Sequence, residues 1–94
     1  MRLEEFKRLN AEKGYYFFER DTMRFFKSRL NDWDYVTGYF ITSERRDDYD
    51  RKYTVRKADF ENGNVRLISE FQKFDTIGKA RTYWRNLLRG RVSA

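Results

Sequence analysis

Six of the twelve residues from Tyr15 to Phe26 are aromatic, in a chain of 94 residues with no proline, cysteine or histidine. Each such ring removes on the order of 150–250 Å² from water when buried, so a stretch this dense must be covered, bound to something, or both. The rest of the chain is similar. Hydrophobic residues make up 39% of the sequence and aromatic residues 19%, so rings supply about half of the apolar material. A single domain spanning residues 1–94 is expected, burying roughly two-thirds of its unfolded surface around a ring-built core.

The missing residue types narrow the chemistry. Without cysteine there is no disulfide, iron–sulfur cluster or thiol nucleophile; without histidine as well, ordinary structural zinc is excluded. No cofactor or metal is expected. No apolar run of about 18 residues exists, and Met1-Arg2-Leu3-Glu4-Glu5-Phe6 is charged where a signal peptide is apolar. The expected location is the cytoplasm.

Local patterns predict the order α-α-β-β-β-α. Leu3, Phe6 and Leu9 recur at threes, with Gly14 as a stop, which reads as a short amphipathic helix. A second helix is expected from Asp21, whose carboxylate would cap it, with Met23, Phe26 and Leu30 as its stripe and Asn31-Asp32-Trp33-Asp34 as its end. Tyr35 to Ser43 is rich in β-branched and aromatic residues, and Arg51 to Ala58 alternates. Residues 44–50 read as a charged loop between them. Glu61-Asn62-Gly63-Asn64 signals a hairpin, followed by a strand from Val65 to about Phe71 whose alternation slips at Ile68. Asp75 or Thr76 then caps a helix on which Ile77, Ala80, Tyr83, Trp84, Leu87 and Leu88 form an apolar arc of about 140°, ending at Gly90. The fold class expected is α+β: a three-stranded antiparallel meander with the N-terminal helices and one C-terminal helix packed on one face.

The segments Phe17 to Phe26, Thr37 to Glu44, Arg51 to Arg56 and Ser69 to Phe74 carry a resemblance, in that order along the chain. Together they resemble a group of small uncharacterised proteins encoded by bacteriophages and related mobile elements. The resemblance covers roughly residues 15–85. It implies a setting, accessory genes acting inside a bacterial host cell, and transfers no catalytic residues.

Catalysis has few candidates. Glu19 and Asp21 flank rings, but Asp21 is better read as a helix cap. Glu44, Asp47, Asp48 and Asp50 lack the glycine and spacing of a calcium loop, and Arg45, Arg46, Arg51 and Lys52 neutralise them. No phosphate-binding loop or nucleophile motif is present. The chain is therefore expected not to be an enzyme, and no small-molecule substrate is expected.

Cations and rings point instead to binding. Of the net charge of +6, residues 48–94 hold eleven Lys/Arg against six Asp/Glu, a net of +5. Arg81, Arg85 and Arg89 follow at i, i+4 and i+8 on the last helix. Lys52, Arg56 and Arg66 are expected on the sheet face away from the helices, joined there by Tyr39 or Phe40. Tyr15 and Tyr16, ahead of the second helix, are the rings most open to a partner. The same residues suit two targets: a host protein, through the aromatic and Arg types enriched at interface hot spots, or nucleic acid, through phosphate contacts and base stacking. Without a partner, the basic helix face is a solvated surface whose cations complement the helix dipole. A homo-oligomer through exposed rings is compatible with either target.

Overall fold

A computed structural model describes residues 1–14, 27–45 and 51–91. The described elements are α1 (Leu3–Glu12), β1 (Lys27–Trp33), β2 (Tyr39–Arg45), β3 (Arg51–Asp59), β4 (Asn64–Leu67) and α2 (Ile77–Leu88). The four strands form one antiparallel sheet in the order β1-β2-β3-β4. Among the described residues, no helix is long and apolar enough to cross a membrane.

The α+β class holds, with one strand more than the sequence predicts. Residues 27–30, assigned by periodicity to the second helix, belong to β1, and Leu30 pairs with Thr42. The helical signal there rests on three apolar residues, and pairing with β2 outweighs so short a pattern. Asp21, Met23, Phe25 and Phe26 lie outside the described residues. The turn-like Asn31 and Asp32 do not end a helix. They occupy an irregularity where three steps along β1, from Leu30 to Trp33, match two along β2, from Thr42 to Phe40.

The β1–β2 turn is built by Asp34. Its carboxylate accepts the Thr37 amide at 2.8 Å and the Thr37 hydroxyl at 2.6 Å, and the Gly38 amide donates to the Asp34 carbonyl at 2.9 Å. Gly38 has φ +83°, and a Cβ there would lie 2.4 Å from the Ala58 carbonyl oxygen, so only glycine fits. The Thr37 hydroxyl and then the Thr37 amide hold the Asp34 carboxyl below its usual range, against a smaller opposing effect of burial. A carboxyl depressed in the folded state adds stability above its unfolded pKa of about 3.9 and loses it as pH falls through the folded value. Asp34→Asn is therefore expected to make the loss of stability below about pH 4 shallower, measured by urea unfolding at pH 3 to 6.

The helices lie on opposite faces of the sheet, not on one. Phe6 of α1 packs with Phe40 and Ala58, joined by Trp33, Phe60 and Val65. Ala80 and Leu87 of α2 pack with Ile41 and Val55, joined by Tyr39, Tyr53, Trp84 and others. Phe40 and Ile41 are neighbours on β2 and so point to opposite faces. Residues 40–44 are all buried, the continuous run of a strand covered on both sides. The sequence reading leaves the second face to cations and solvent, whereas α1 carries a ring, Phe6, that is buried only by covering it.

The end elements match their sequence signals. Asn10 of α1 donates to the carbonyls of Phe6 and Gly63, tying the helix to the β3–β4 turn. Thr76 caps α2 by accepting the Lys79 amide at 3.2 Å. Trp84 donates from its indole to the Tyr39 carbonyl at 3.0 Å, which sets the helix across β2.

Candidate functional site

β4 leaves the sheet at Leu67, and residues 68–73 form an excursion before the chain rejoins β3. Leu67 pairs with Arg56 and Phe74 pairs with Tyr53, so seven steps along one strand match three along the other. The extra residues are held at several points. The Val55 carbonyl accepts the amides of Ile68 and Ser69 at 2.9 and 3.1 Å, and the Val55 amide donates to the Ser69 hydroxyl at 3.0 Å. The Gln72 amide donates to the Thr54 hydroxyl at 2.9 Å. Tyr53 and Phe74 then exchange two backbone bonds of 2.8 and 3.1 Å. Gln72 has φ +57°, a left-handed conformation that costs a non-glycine residue roughly 1–2 kcal/mol. The strain persists because bonds on both sides fix the backbone.

Beneath the excursion lies a buried polar network. The Glu44 carboxylate accepts the Thr42 hydroxyl, the Thr54 hydroxyl at 3.0 Å and the Arg56 guanidinium at 3.2 Å. Arg56 Nε donates to the Thr42 hydroxyl at 2.9 Å. Glu44, Thr42 and Thr54 are fully buried and Arg56 is 8% exposed. Burial pulls the Arg56 guanidinium below its ordinary range, and the Glu44 charge and hydrogen bond act in the opposite direction. Two arms run from Glu44 to the excursion. One passes through Thr54 to the Gln72 amide; the other passes through Arg56, whose guanidinium lies 5.7 Å from the centre of the Phe71 ring.

At the surface the result is an apolar pair. Leu67 is 49% exposed and Phe71 44% exposed, and both adjoin Arg56, Leu67 as its cross-strand partner. Lys73, two residues further along the chain from Phe71, is exposed. Neither Leu67 nor Phe71 stands out in the sequence as a site residue. The one signal is the slip in alternation at Ile68, which marks the place where β4 ends.

The cations expected at a binding surface are scattered. Arg56 is buried against Glu44, so it is not available to a phosphate. Lys52 is half-buried and lies opposite Glu44 in the register. Arg66 pairs with Lys57, one step from Arg56, and therefore lies on the other sheet face from Arg56 and Lys52. Phe40 is fully buried, and Tyr39 faces the α2 side, with the Lys57 ammonium 5.1 Å from its ring. Arg81 is held by Asp32 of β1 at 2.5 Å. Arg85 and Arg89 are exposed and make no ion pair among the described residues. Steps of four residues drift about 40° around a helix, which carries Arg85 and Arg89 away from the sheet that Arg81 borders. Tyr15 and Tyr16 lie outside the described residues.

The acidic candidates separate as well. Glu44 belongs to β2 rather than to a charged loop, and its carboxylate is taken up by Arg56 and two hydroxyls. Glu19, Asp21, Asp47, Asp48 and Asp50 lie outside the described residues. Among the described residues, no three carboxylates lie close enough to hold a metal ion.

Comparison with known proteins gives one match. The model of a family of unknown function, DUF7447, matches residues 2–85. No curated protein and no solved structure matches the chain.

Proposed function

Because the chain belongs to DUF7447, a family of unknown function, its role is read from its own surface, and we propose that it is a non-enzymatic binding module that docks on a host protein. The observation that carries this reading is the exposed Leu67–Phe71 pair on a backbone fixed by β3 and the Glu44 network. Apolar side chains held rigid lose little entropy on binding, which is where interface hot spots draw their energy. The occupant is a protein surface with an apolar pocket and a carboxylate rim. The exposed Lys73, two residues along the chain from Phe71, and the net charge of +6 match such a rim. The resemblance to bacteriophage and mobile-element proteins supports a partner in the bacterial cytoplasm, where blocking a nucleic-acid-handling or defence protein is the natural use of so small a domain.

The absence of catalysis belongs to the same proposal. Glu44, the one carboxylate fully buried among the described residues, commits its acceptor positions to Arg56, Thr42 and Thr54. A general base needs a free lone pair within reach of a substrate proton.

A second reading, direct nucleic-acid binding, is favoured by Arg85 and Arg89, which stand on the outer side of α2 without an ion pair among the described residues. Affinity capture from bacterial host lysate, with and without nuclease, separates the two. Docking on a protein gives a partner that survives nuclease, is lost with Phe71→Ser and is kept with Arg85→Glu. Nuclease-sensitive capture that ignores Phe71→Ser and fails with Arg85→Glu supports nucleic acid instead.

A further inference from the structure

At the opposite end of β3, the β1–β2 and β3–β4 turns enclose a cleft of about 580 Å³. That volume lies within the usual range of roughly 300–1,000 Å³ for small-ligand sites. Its floor is rigid, since the Gly38 backbone approaches the Ala58 carbonyl more closely than any side chain permits. Val36 is among the residues that line it and is 94% exposed.

Four charges line this cleft: Lys57 and Arg66, Asp59 and Glu61. Lys57 and Arg66 are direct cross-strand partners, an arrangement that repels and weakens the sheet unless something neutralises it. Neither forms an ion pair with Asp59, Glu61 or any other described carboxylate. The Lys57 ammonium lies instead against the Tyr39 ring, and one Asp59 oxygen accepts the Glu61 amide at 2.9 Å. Two cations and two carboxylates thus share one cleft without joining each other, beside an exposed apolar side chain.

We propose that this cleft binds a small zwitterion with an apolar side group, of the size of an aliphatic α-amino acid. Its carboxylate meets Lys57 and Arg66, its ammonium meets Asp59 and Glu61, and its side group covers Val36. Binding relieves the Lys57–Arg66 repulsion, which gives the opposed cations a purpose.

The test is an NMR titration of the whole chain with leucine, 4-methylpentanoate and 3-methylbutylamine, reading the Val36 methyls and the Arg66 side chain. Leucine is expected to give saturable shifts in the millimolar range, and each one-charge analogue to bind about tenfold or more weakly. Arg66→Gln and Asp59→Asn are each expected to weaken leucine about tenfold; the latter keeps the acceptor for the Glu61 amide, and Arg66→Gln raises Tm without ligand. Shifts that stay linear, equal responses to all three compounds, or leucine binding untouched by both variants overturn the proposal. A fall in Tm for Arg66→Gln also counts against it, because the opposed cations would then be stabilising the sheet.

Discussion

Glu44→Leu is expected to destabilise the domain by about 3–5 kcal/mol, because it breaks a buried ion pair by removing the fully buried carboxylate that accepts from the Arg56 guanidinium. A domain of this size has roughly 5–15 kcal/mol in all, so the variant approaches the limit of folding. Urea unfolding at pH 7 measures it as a large drop in midpoint with little change in slope. The loss comes from removing one side of a buried pair rather than from the pair's net worth. Arg56→Met added to Glu44→Leu is therefore expected to recover most of it. Glu44→Gln, which keeps an acceptor for the Thr54 hydroxyl but loses the charge, falls between. A cost under about 1 kcal/mol for Glu44→Leu would mean that water reaches the pair, and that the network does not fix the excursion above it.

Phe40→Ala and Ile41→Ala form the second large test. Both side chains are fully buried, and each belongs to a different core, Phe40 under α1 and Ile41 under α2. Phe40→Ala is expected to cost about 3–5 kcal/mol and Ile41→Ala about 2–5 kcal/mol. Adjacent strand residues can both be this costly only if both sheet faces are covered. With helices on one face, one of the two would be a surface substitution, within about 0.5 kcal/mol of neutral. Denaturant midpoints of the two variants therefore distinguish a three-layer from a two-layer arrangement.

Much of this fold is legible in the sequence where one local signal acts alone. α2 announces itself through Thr76, a contiguous apolar arc and Gly90, and all three hold. β2 and β3 stand out because β-branched and aromatic residues cluster there without competing periodicity. β1 is hidden because Leu30 also fits a helical stripe, and strand pairing is a long-range property that no short window contains. The face carrying each helix is hidden for a similar reason. Phe6 and Ile77 are equally apolar, and only the register of Phe40 and Ile41 decides which side each covers.

The site is less legible than the fold. Counting charges gives +6 but not who pairs with whom, and the decisive pairs are distant. Arg56 meets Glu44 across a strand pair, and Arg81 meets Asp32 from 49 residues away. Those two contacts remove two of the six cations expected at a binding surface. Leu67 and Phe71 look like ordinary members of a strand. Their exposure comes from an excursion whose hydrogen bonds belong to Val55, Thr54 and Tyr53, residues with no visible link to them in the sequence.

Site-specific crosslinking inside bacterial cells is the most direct test of the proposed docking through Leu67 and Phe71. A photoreactive benzophenone amino acid is placed at Leu67 in one version of the protein and at Arg85 in another, and the adducts are treated with nuclease. Docking through this pair gives a discrete protein adduct from position 67 that survives nuclease and disappears when Phe71→Ser is added, with no comparable adduct from position 85. Adducts formed only from position 85, or removed by nuclease, or indifferent to Phe71→Ser, contradict it.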